Sequence, residues 1–282
     1  MNEAAKSEVK RYWENEVCGT RDLAGDGGLA RAERTIDIDR YERNRAAFEP
    51  FIAEFADYGR YAGHDVLEIG VGGGADYVKF LEAGARAIGI DLTEAAAGFV
   101  RARLESLGLP GDVRVADAEN LLFADASFDL VYSYGVLHHS PDTARALAEA
   151  YRVLRPGGEL KVMVYSDFSM AGLMLWVMHG LFKGRPFRGQ RDILFRHLES
   201  PGTKCYGAAE FQALLERIGF RVERLYKKAG AGDLLLMEAS AKYASGLKKI
   251  LFALGRALLP RRLIRRHEDR LGLFLLAIAT KP

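Results

Sequence analysis

From residue 64 to residue 165 the sequence alternates short apolar runs with amphipathic stretches, and this alternation constrains the fold more than any other feature. The apolar runs are strand candidates, and they lie at 65–70, 85–91, 112–118, 128–135 and 159–165. The stretches between them have helical spacing. Strands and helices in alternation predict a doubly wound α/β fold, in which helices cover both faces of a mostly parallel sheet.

Two of the helical stretches carry end signals. Residues 93–108 begin at Thr93, which can cap a helix, and stop at Gly108. Residues 141–158 have a proline early and Pro156-Gly157-Gly158 last, so we expect a helix that ends at this turn.

Two later apolar runs, 220–226 and 272–282, complete a sheet of seven strands. The last run is apolar enough to be buried on both faces. Inserts lie before and between these runs, at 166–205 and 230–270. We therefore expect three regions: a helical N-terminal leader at 1–63, a core at 64–165, and inserts with the end of the sheet at 166–282.

Charge and cysteine content exclude several classes of protein. Lys and Arg number 40 against 38 Asp and Glu, a net charge of +2, so no strong overall field attracts nucleic acid. Cys18 and Cys205 have no metal-ligand spacing and make no disulfide framework, which indicates a reducing cytoplasm and predicts no metal site. The N-terminus is too polar for a secretion signal. The longest apolar cluster, 172–182, has about half the length of a membrane-spanning helix.

The first strand candidate leads into a glycine-rich stretch, VLEIGVGGGAD at 66–76. Glycines at 70, 72, 73 and 74 allow a sharp turn and a close approach of backbone to a ligand. The amides at the start of the next helix point toward the same place. Glu68 stands two residues before the first glycine. These features predict a nucleotide site at the carboxyl ends of the strands, where open parallel sheets bind their ligands.

Two acids extend this predicted site. Asp91 ends the second strand, about twenty residues after the glycines, where a carboxylate accepts both hydroxyls of a ribose. It can instead help to cap the helix at Thr93. Asp117 ends the third strand, where it can accept from an adenine amino group or serve only as a turn residue. The glycine pattern also matches the dinucleotide fingerprint, so the residues alone leave two nucleotide cofactors open.

The order of motifs resembles the class I S-adenosylmethionine-dependent methyltransferases, specifically their small-molecule branch. The resemblance covers about 64–165 and rests on LEIGVGGGAD, GIDLTEAA, VADAENLLFADASFDLVYSYGVLHHSPD and RVLRPGGELKVM. It implies a Rossmann-like fold, S-adenosyl-L-methionine as the cofactor, and methyl transfer to a small molecule.

The resemblance also implies roles for individual residues. Three glycines would line the methionine and ribose, and Glu68 would hold the loop in shape through its amides. Asp91 would bind the ribose, and Leu92 would lie on the adenine face. The remaining cofactor contacts are expected at the adenine edge and at the end of the fourth strand, from Asp117, Ala118, Ser133, Tyr134 and Gly135; the three glycines are Gly70, Gly72 and Gly74.

The N-terminal stretch RYWENEVCGTR (11–21) looks like the leader of a bacterial subfamily, which implies a lid over the cofactor. Tyr12, Trp13 and Arg45 are candidate lid contacts. An amphipathic helix that packs on the core explains Tyr12 and Trp13 equally well.

The acceptor side is less defined. His138 and His139 follow the fourth strand and are candidates for a general base or an acceptor-positioning group, or for a cap of the loop. The insert at 166–205 is rich in apolar side chains that suit either an apolar pocket or a packing helix. Its candidate residues are Met170, Met174, Leu175, Trp176, Met178, His179 and Phe182, with Tyr165, Asp167 and Tyr206 as further polar contacts.

The segment 245–270 is basic and amphipathic, with Arg261, Arg262, Arg265 and Arg266 near its end. It suits peripheral contact with an anionic membrane, an anionic acceptor, or a solvated helix face. The preferred function is methyl transfer to an apolar or aromatic metabolite of natural-product or isoprenoid type. An NAD(P)-dependent oxidoreductase and a non-catalytic nucleotide-binding relative are the alternatives, and a homo-oligomer stays open.

Overall fold

The computed structural model contains a single eight-stranded sheet, and it describes residues 2–14, 38–199, 202–236, 253–255 and 257–282. Predicted features at Cys18 and across most of 245–256 lie outside these residues. The strands are β1 (Asp65–Ile69), β2 (Arg86–Asp91), β3 (Asp112–Val115), β4 (Phe128–Tyr134), β5 (Leu154–Ser166), β6 (Cys205–Tyr206), β7 (Arg221–Lys228) and β8 (Phe274–Thr280).

The strand order is β3-β2-β1-β4-β5-β8-β7, and the two-residue β6 pairs with the end of β5. All described pairs are parallel except those made by β8, which runs antiparallel to both β5 and β7. The predicted mostly parallel α/β class is confirmed. The sequence predicts seven strands, and β6 is the additional one because two paired residues leave no periodic pattern.

Helices flank the sheet on both faces. They are α1 (Asn2–Glu14), α2 (Ile38–Phe48), α3 (Phe51–Ala56), α4 (Ala75–Glu82), α5 (Glu94–Leu107), α6 (Thr143–Val153), α7 (Met170–His179), α8 (Gln190–His197), α9 (Ala208–Ile218), α10 (Arg261–Arg266) and α11 (Glu268–Leu271). Helices α3, α4 and α5 contribute to the core on one face, and α6 and α9 contribute to the core on the other. Adjacent strand residues point to opposite faces, so Val66 joins the first core and Leu67 the second. None of the described helices combines the length and apolarity needed to cross a bilayer.

The end signals of α5 hold in the structure. The hydroxyl of Thr93 accepts a hydrogen bond from the Ala96 amide, and Gly108 ends the helix in a left-handed conformation. The predicted end of the next helix is wrong. Helix α6 stops at Val153, because Gly157 and Gly158 exchange backbone hydrogen bonds with Lys281 and so belong to the sheet. The Asp142 carboxylate caps α6 by accepting from the Arg145 amide.

Candidate active site

The loop between β1 and α4 makes a tight bend at the carboxyl edge of the sheet. Gly70, Gly72 and Gly74 all have positive φ, at 82°, 49° and 74°. A Cβ on Gly70 would lie 2.3 Å from a methyl group of Val136, so two backbone segments meet closely there. The amides of Gly70 and Val71 donate to the carbonyl of Ile90. The loop is therefore fastened to the end of β2.

Asp91 lies at the centre of this edge. Its Oδ2 accepts from the Gly72 amide at 3.2 Å. Its Oδ1 accepts from the amide and the hydroxyl of Thr93, at 3.0 and 2.8 Å. Burial raises the pKa of Asp91. The carboxylate thus joins the glycine loop to the start of α5, and the lone pairs not used in these bonds leave capacity for a ligand hydroxyl.

Asp117 and Glu119 follow β3 beside Asp91, and both contact α1. The Lys6 ammonium lies 2.6 Å from Asp117 Oδ2 and 2.8 Å from Glu119 Oε2. Glu119 is also tied to the loop after β4, since its Oε1 accepts from the Ser140 hydroxyl and the Asp142 amide. Lys6 carried no signal in the sequence. It places α1 over the edge at which the resemblance implies adenine.

Another acidic site lies at the start of α4, directly after the glycine loop. Asp76 is buried and receives a bidentate contact from Arg45, at 2.6 and 2.5 Å, and further hydrogen bonds from the hydroxyls of Tyr58 and Tyr132. Burial opposes its ionisation, but the charge and hydrogen bonds of Arg45 hold the pKa of Asp76 below its usual value. Arg45 therefore fixes α2 to the start of α4.

Glu68 is less well compensated, because the charge of Arg45 opposes but does not offset its burial. It is 4 % exposed, and its Oε2 is buried with no hydrogen-bond partner among the described residues. Burial, with the negative charges of Asp76 and Asp91, raises the pKa of Glu68 well above its usual range. The predicted role as a holder of loop amides stays a prediction. A buried carboxylate at this position would be stabilised by a cationic ligand.

The remaining cofactor candidates lie at the same edge with different partners. The Ser133 hydroxyl is buried and donates to the carbonyl of Ile69 at 3.1 Å. The Tyr134 hydroxyl donates to Glu49 at 3.3 Å. Leu92 and Ala118 are half-buried in the turns that follow β2 and β3. Ser133 thus contributes its side chain to the sheet and only its backbone to the edge.

His138 and His139 form a short 3-10 turn after β4, and both are buried. Within the part of the chain that the structure describes, neither ring nitrogen of His138 has a hydrogen-bond partner, and its ring centroid lies 4.2 Å from that of Tyr165. Burial and the charges of His139 and Lys204 lower the pKa of His138 well below its usual value. His139 Nδ1 lies 3.2 Å from the Thr203 hydroxyl, and its Nε2 lies 3.2 Å from Glu199 Oε2.

Glu49 was missed by the sequence analysis. It follows α2 and precedes a proline, which gives no functional signal. Burial raises the pKa of Glu49 to about 7, although Arg45 and the Tyr134 hydroxyl oppose the shift. The negative charge of Glu199 also raises the pKa of Glu49. A carboxyl group that titrates near neutrality beside the end of β4 is suited to general acid–base chemistry.

The predicted lid and pocket residues divide between the site and the core. Trp13 reaches the site, with its ring edge-on to His139 at 5.2 Å and to Tyr12 at 5.0 Å. The insert packs largely on its neighbours: Met170 contacts the cluster of Ala229, Leu234 and Ile264, and Trp176 donates to the Arg188 carbonyl. The other predicted residues lie outside the histidine cluster: Leu175 packs on the first core, Tyr206 on the second, Asp167 pairs with Arg191, His179 stacks on His197, and Phe182 is exposed.

Two shallow cavities lie elsewhere, at the amino ends of the strands. One is lined by Arg155 and Gly157, and the other by Arg86 and Pro110. Neither is lined by Asp91, Asp117, His138 or His139. We therefore assign the site from the converging side chains.

A model of the family described as "Methyltransferase domain" matches residues 67–162. A phthiotriol/phenolphthiotriol dimycocerosates methyltransferase of Mycobacterium tuberculosis is 41 % identical over 192 residues, which is 61 % of this chain and 67 % of that protein. The chain belongs to the class I S-adenosylmethionine-dependent methyltransferase family. Family membership makes S-adenosyl-L-methionine its cofactor and favours this interpretation of the glycine stretch over the dinucleotide alternative.

Two other comparisons concern the family and the fold. A Mycolicibacterium smegmatis protein named "Probable S-adenosylmethionine-dependent methyltransferase" is 34 % identical over 164 residues, 58 % of this chain and 54 % of that protein. This family member thus spans about half the length of that relative. The crystal structure of the [4+2]-cyclase SpnF superposes with a TM-score of 0.62 at 16 % identity and covers 98 % of this chain and 96 % of the cyclase. At that identity the likeness shows the fold alone.

The residues of this family member fit the cofactor. S-adenosylmethionine carries positive charge on its sulfonium and its ammonium group, and the edge offers the buried Glu68 beside Asp91 and Asp76. The tight bend at Gly70 brings backbone amides to the same place. The residues that would hold the cofactor are therefore the glycine loop, Asp91 and Asp117, with Glu68 as the electrostatic complement of its positive end.

Proposed function

We propose that the chain transfers a methyl group from S-adenosylmethionine to a small apolar or aromatic metabolite. The observation that carries this proposal is the convergence of the glycine loop, Asp91 and Asp117 at one edge of the sheet, in a chain of this family. The relative from Mycobacterium tuberculosis is named for a phthiotriol-type acceptor. That name supports an acceptor of natural-product or isoprenoid type.

Bound S-adenosylmethionine supplies a methyl group that is already activated for in-line displacement. The main task of the chain is therefore to hold and orient. Asp91 and the glycine loop fix the adenosine end, and the positive end would favour the ionised form of Glu68. Positioning of this kind supplies up to roughly 7–11 kcal/mol of an activation barrier. The hydrogen bonds from Gly72 and Thr93 keep Asp91 in place before the ligand arrives.

The acceptor side needs a proton acceptor only if the attacking atom loses a proton. His138 and His139 are the candidates proposed from the sequence, and Glu49 is a third. Glu49 has a pKa of about 7, so at neutral pH about half of its carboxyl groups are ready to accept a proton. Burial lowers the pKa of His138 and keeps its ring neutral, so His138 is only a weak base.

Several wider aspects belong to the same proposal. They are the division into a lid-bearing leader (1–63), a cofactor core (64–165) and acceptor inserts (166–282), and an intracellular site of action. Peripheral membrane contact through 245–270 is supported by the exposed Arg262, Arg265 and Arg266, which lie around the buried Ile264. The same pattern suits a solvated helix face.

The proposal is tested with methyl-labelled S-adenosylmethionine, purified chain and an extract of small metabolites. We expect label to appear in one apolar product, and we expect the Asp91→Asn variant to form that product far more slowly. Binding of the cofactor without transfer to any fraction would favour a non-catalytic relative and contradict the proposal. Transfer at equal rates by wild type and variant would contradict the assignment of the site.

A further inference from the structure

Two histidines and a glutamate meet beside the carboxyl end of β4 in a geometry that suits a metal ion. One ligand atom from each of His138, His139 and Glu199 lies within 4.8 Å of the other two. Two of these atoms, His139 Nε2 and Glu199 Oε2, are only 3.2 Å apart. We propose that His138, His139 and Glu199 bind a divalent transition metal ion of the Zn²⁺ type.

His138 gives the first argument. Its side chain is fully buried, and no residue in the described ranges makes a hydrogen bond with either ring nitrogen. An imidazole without any partner in the interior loses the hydrogen bonds it would make in water, and such groups are rare in folded proteins. The ring is held against Tyr165 and His139 at centroid distances of 4.2 and 4.3 Å. A metal ion would bind one of these two ring nitrogens of His138.

His139 gives the second argument, because its two ring nitrogens face different partners. Nδ1 lies 3.2 Å from the hydroxyl of the buried Thr203, and Nε2 faces Glu199. Histidine ligands of metals characteristically use one nitrogen for the metal and the other for a hydrogen bond that fixes the ring. The hydrogen bond to Thr203 would orient His139 in this way.

The ligand types define the class of ion. Two imidazoles and one carboxylate suit Zn²⁺ and its neighbours Co²⁺ and Fe²⁺ better than Mg²⁺ or Ca²⁺, which prefer oxygen ligands. Three protein ligands also leave at least one coordination position open, as in catalytic metal sites. Glu199 is at the protein surface, so this position can be reached by a small ligand. Glu49 lies within electrostatic range of Glu199 and adds negative charge that favours a cation.

The chain spacing explains why the sequence predicts no metal site. His138 and His139 are adjacent, but Glu199 lies about sixty residues further on, beyond α7 and α8. Motifs that reveal metal sites have ligands at short, regular spacings. Metal binding does not rest on the proposed function. A role for the ion in polarising a hydroxyl of the acceptor would rest on it.

The test uses the full chain after removal of metal by a chelator. Co²⁺ is titrated in, its visible absorption is recorded, and the metal content is measured after gel filtration; Zn²⁺ is then added as a competitor. We expect one Co²⁺ per chain, with the intense absorption of a low-coordinate site, and displacement by Zn²⁺. A wild-type chain that retains no Co²⁺ would overturn the proposal.

Variants identify the ligands. Glu199→Gln changes a surface side chain, so the fold should persist, and we expect at least a 10-fold loss of Co²⁺ affinity; His139→Gln should lose more. The matched controls are Glu210→Gln, at an exposed ion pair with Arg191, and His64→Gln, at the opposite end of the sheet. Binding that survives Glu199→Gln and His139→Gln, or that falls equally in the controls, would contradict the site. Binding of S-adenosylhomocysteine, measured in the same samples, separates failure of the metal site from failure of the proposed function.

Discussion

The two halves of the molecule stabilise their functional edges in different ways. In the cofactor half, β1–β4 with α4–α6, the acids at the edge are tied to the chain by short hydrogen bonds, as Asp91 is to Gly72 and Thr93. In the acceptor half, which we take as the loop after β4, Glu49 after α2, and β5–β8 with α7–α11, the side chains near His138 and His139 come from distant segments. They include His138, whose ring nitrogens have no hydrogen-bond partner among the described residues, and the surface residue Glu199.

This difference has a physical basis. In the cofactor half the loops after β1 and β2 are short and the strands are parallel, so the residues after the strands are brought together by the sheet itself. In the acceptor half the chain reverses direction at β8 and inserts α7 and α8 after β5. We infer that the first edge is preorganised for one ligand and that the second edge is adjustable.

The most severe test of a preorganised cofactor edge is Gly70→Ala. The new Cβ would lie 2.3 Å from a Val136 methyl group at a φ of +82°. Positive φ and overpacking together should cost about 2–5 kcal/mol of unfolding free energy. Urea denaturation measures the loss. Gly157→Ala is the control, because it has a φ of +79° but nothing within 4 Å of the added Cβ; we expect about 1–2 kcal/mol there. Equal losses would show that the close approach is unimportant.

Asp91→Asn tests whether the charge of the Asp91 carboxylate contributes to ligand binding. The amide retains one oxygen but removes the charge, so we expect affinity for S-adenosylhomocysteine to fall about 10–100-fold. Isothermal titration calorimetry measures the affinity. Asp112→Asn, at the exposed pair with Arg114, should bind as the wild type does. An unchanged affinity in the Asp91→Asn variant would contradict the proposal that Asp91 binds the ribose.

Glu49→Gln tests the burial of the Glu49 carboxyl group, at the adjustable edge, through the pH dependence of the free energy of unfolding. The folded-state pKa of Glu49 is about 7, above the ordinary value of 4.5, so the folded state binds the proton more tightly than the unfolded state. The wild type should therefore lose stability relative to the variant as pH rises from about 4.5 to about 7, by about 3 kcal/mol in total. Above that window the difference should stay constant. Urea unfolding of both proteins at several pH values measures it, and a flat difference would contradict the burial of this carboxyl group.

Lys6→Ala should give the smallest effect. Lys6 joins α1 to Asp117 and Glu119, so its loss should weaken the docking of α1 by about 1 kcal/mol and speed amide exchange in α1 about 5-fold. Lys10→Ala is the control on the exposed side of the same helix. Unchanged exchange in the Lys6 variant would mean that other contacts hold α1 in place.

The cofactor half could be predicted from the sequence because its signals are local. The glycines at 70, 72 and 74 are those with positive φ in the β1–α4 loop, and Thr93 caps the helix that it was expected to cap. The error at Pro156-Gly157-Gly158 arose because a turn signal says nothing about pairing with Lys281, more than a hundred residues away.

The acceptor half could not be predicted in the same way. Glu49 and Glu199 have no motif around them, nor does Lys6 beside the cofactor edge, and each becomes informative only when the fold brings it to β3 or β4. The apolar insert was ambiguous between pocket and packing helix because both need the same residue types. The structure favours packing for Met170 and Trp176, since their neighbours come from within the inserts.

The central claim is that adenosine binds at the carboxyl edge of β1–β4, with its ribose on Asp91. A crystal structure of the chain with S-adenosylhomocysteine tests this most directly. We predict that both ribose hydroxyls lie within hydrogen-bond distance of the Asp91 carboxylate and that the glycine loop keeps its present conformation. A ligand bound elsewhere, or at this edge with Asp91 directed away from the sugar, would contradict the claim.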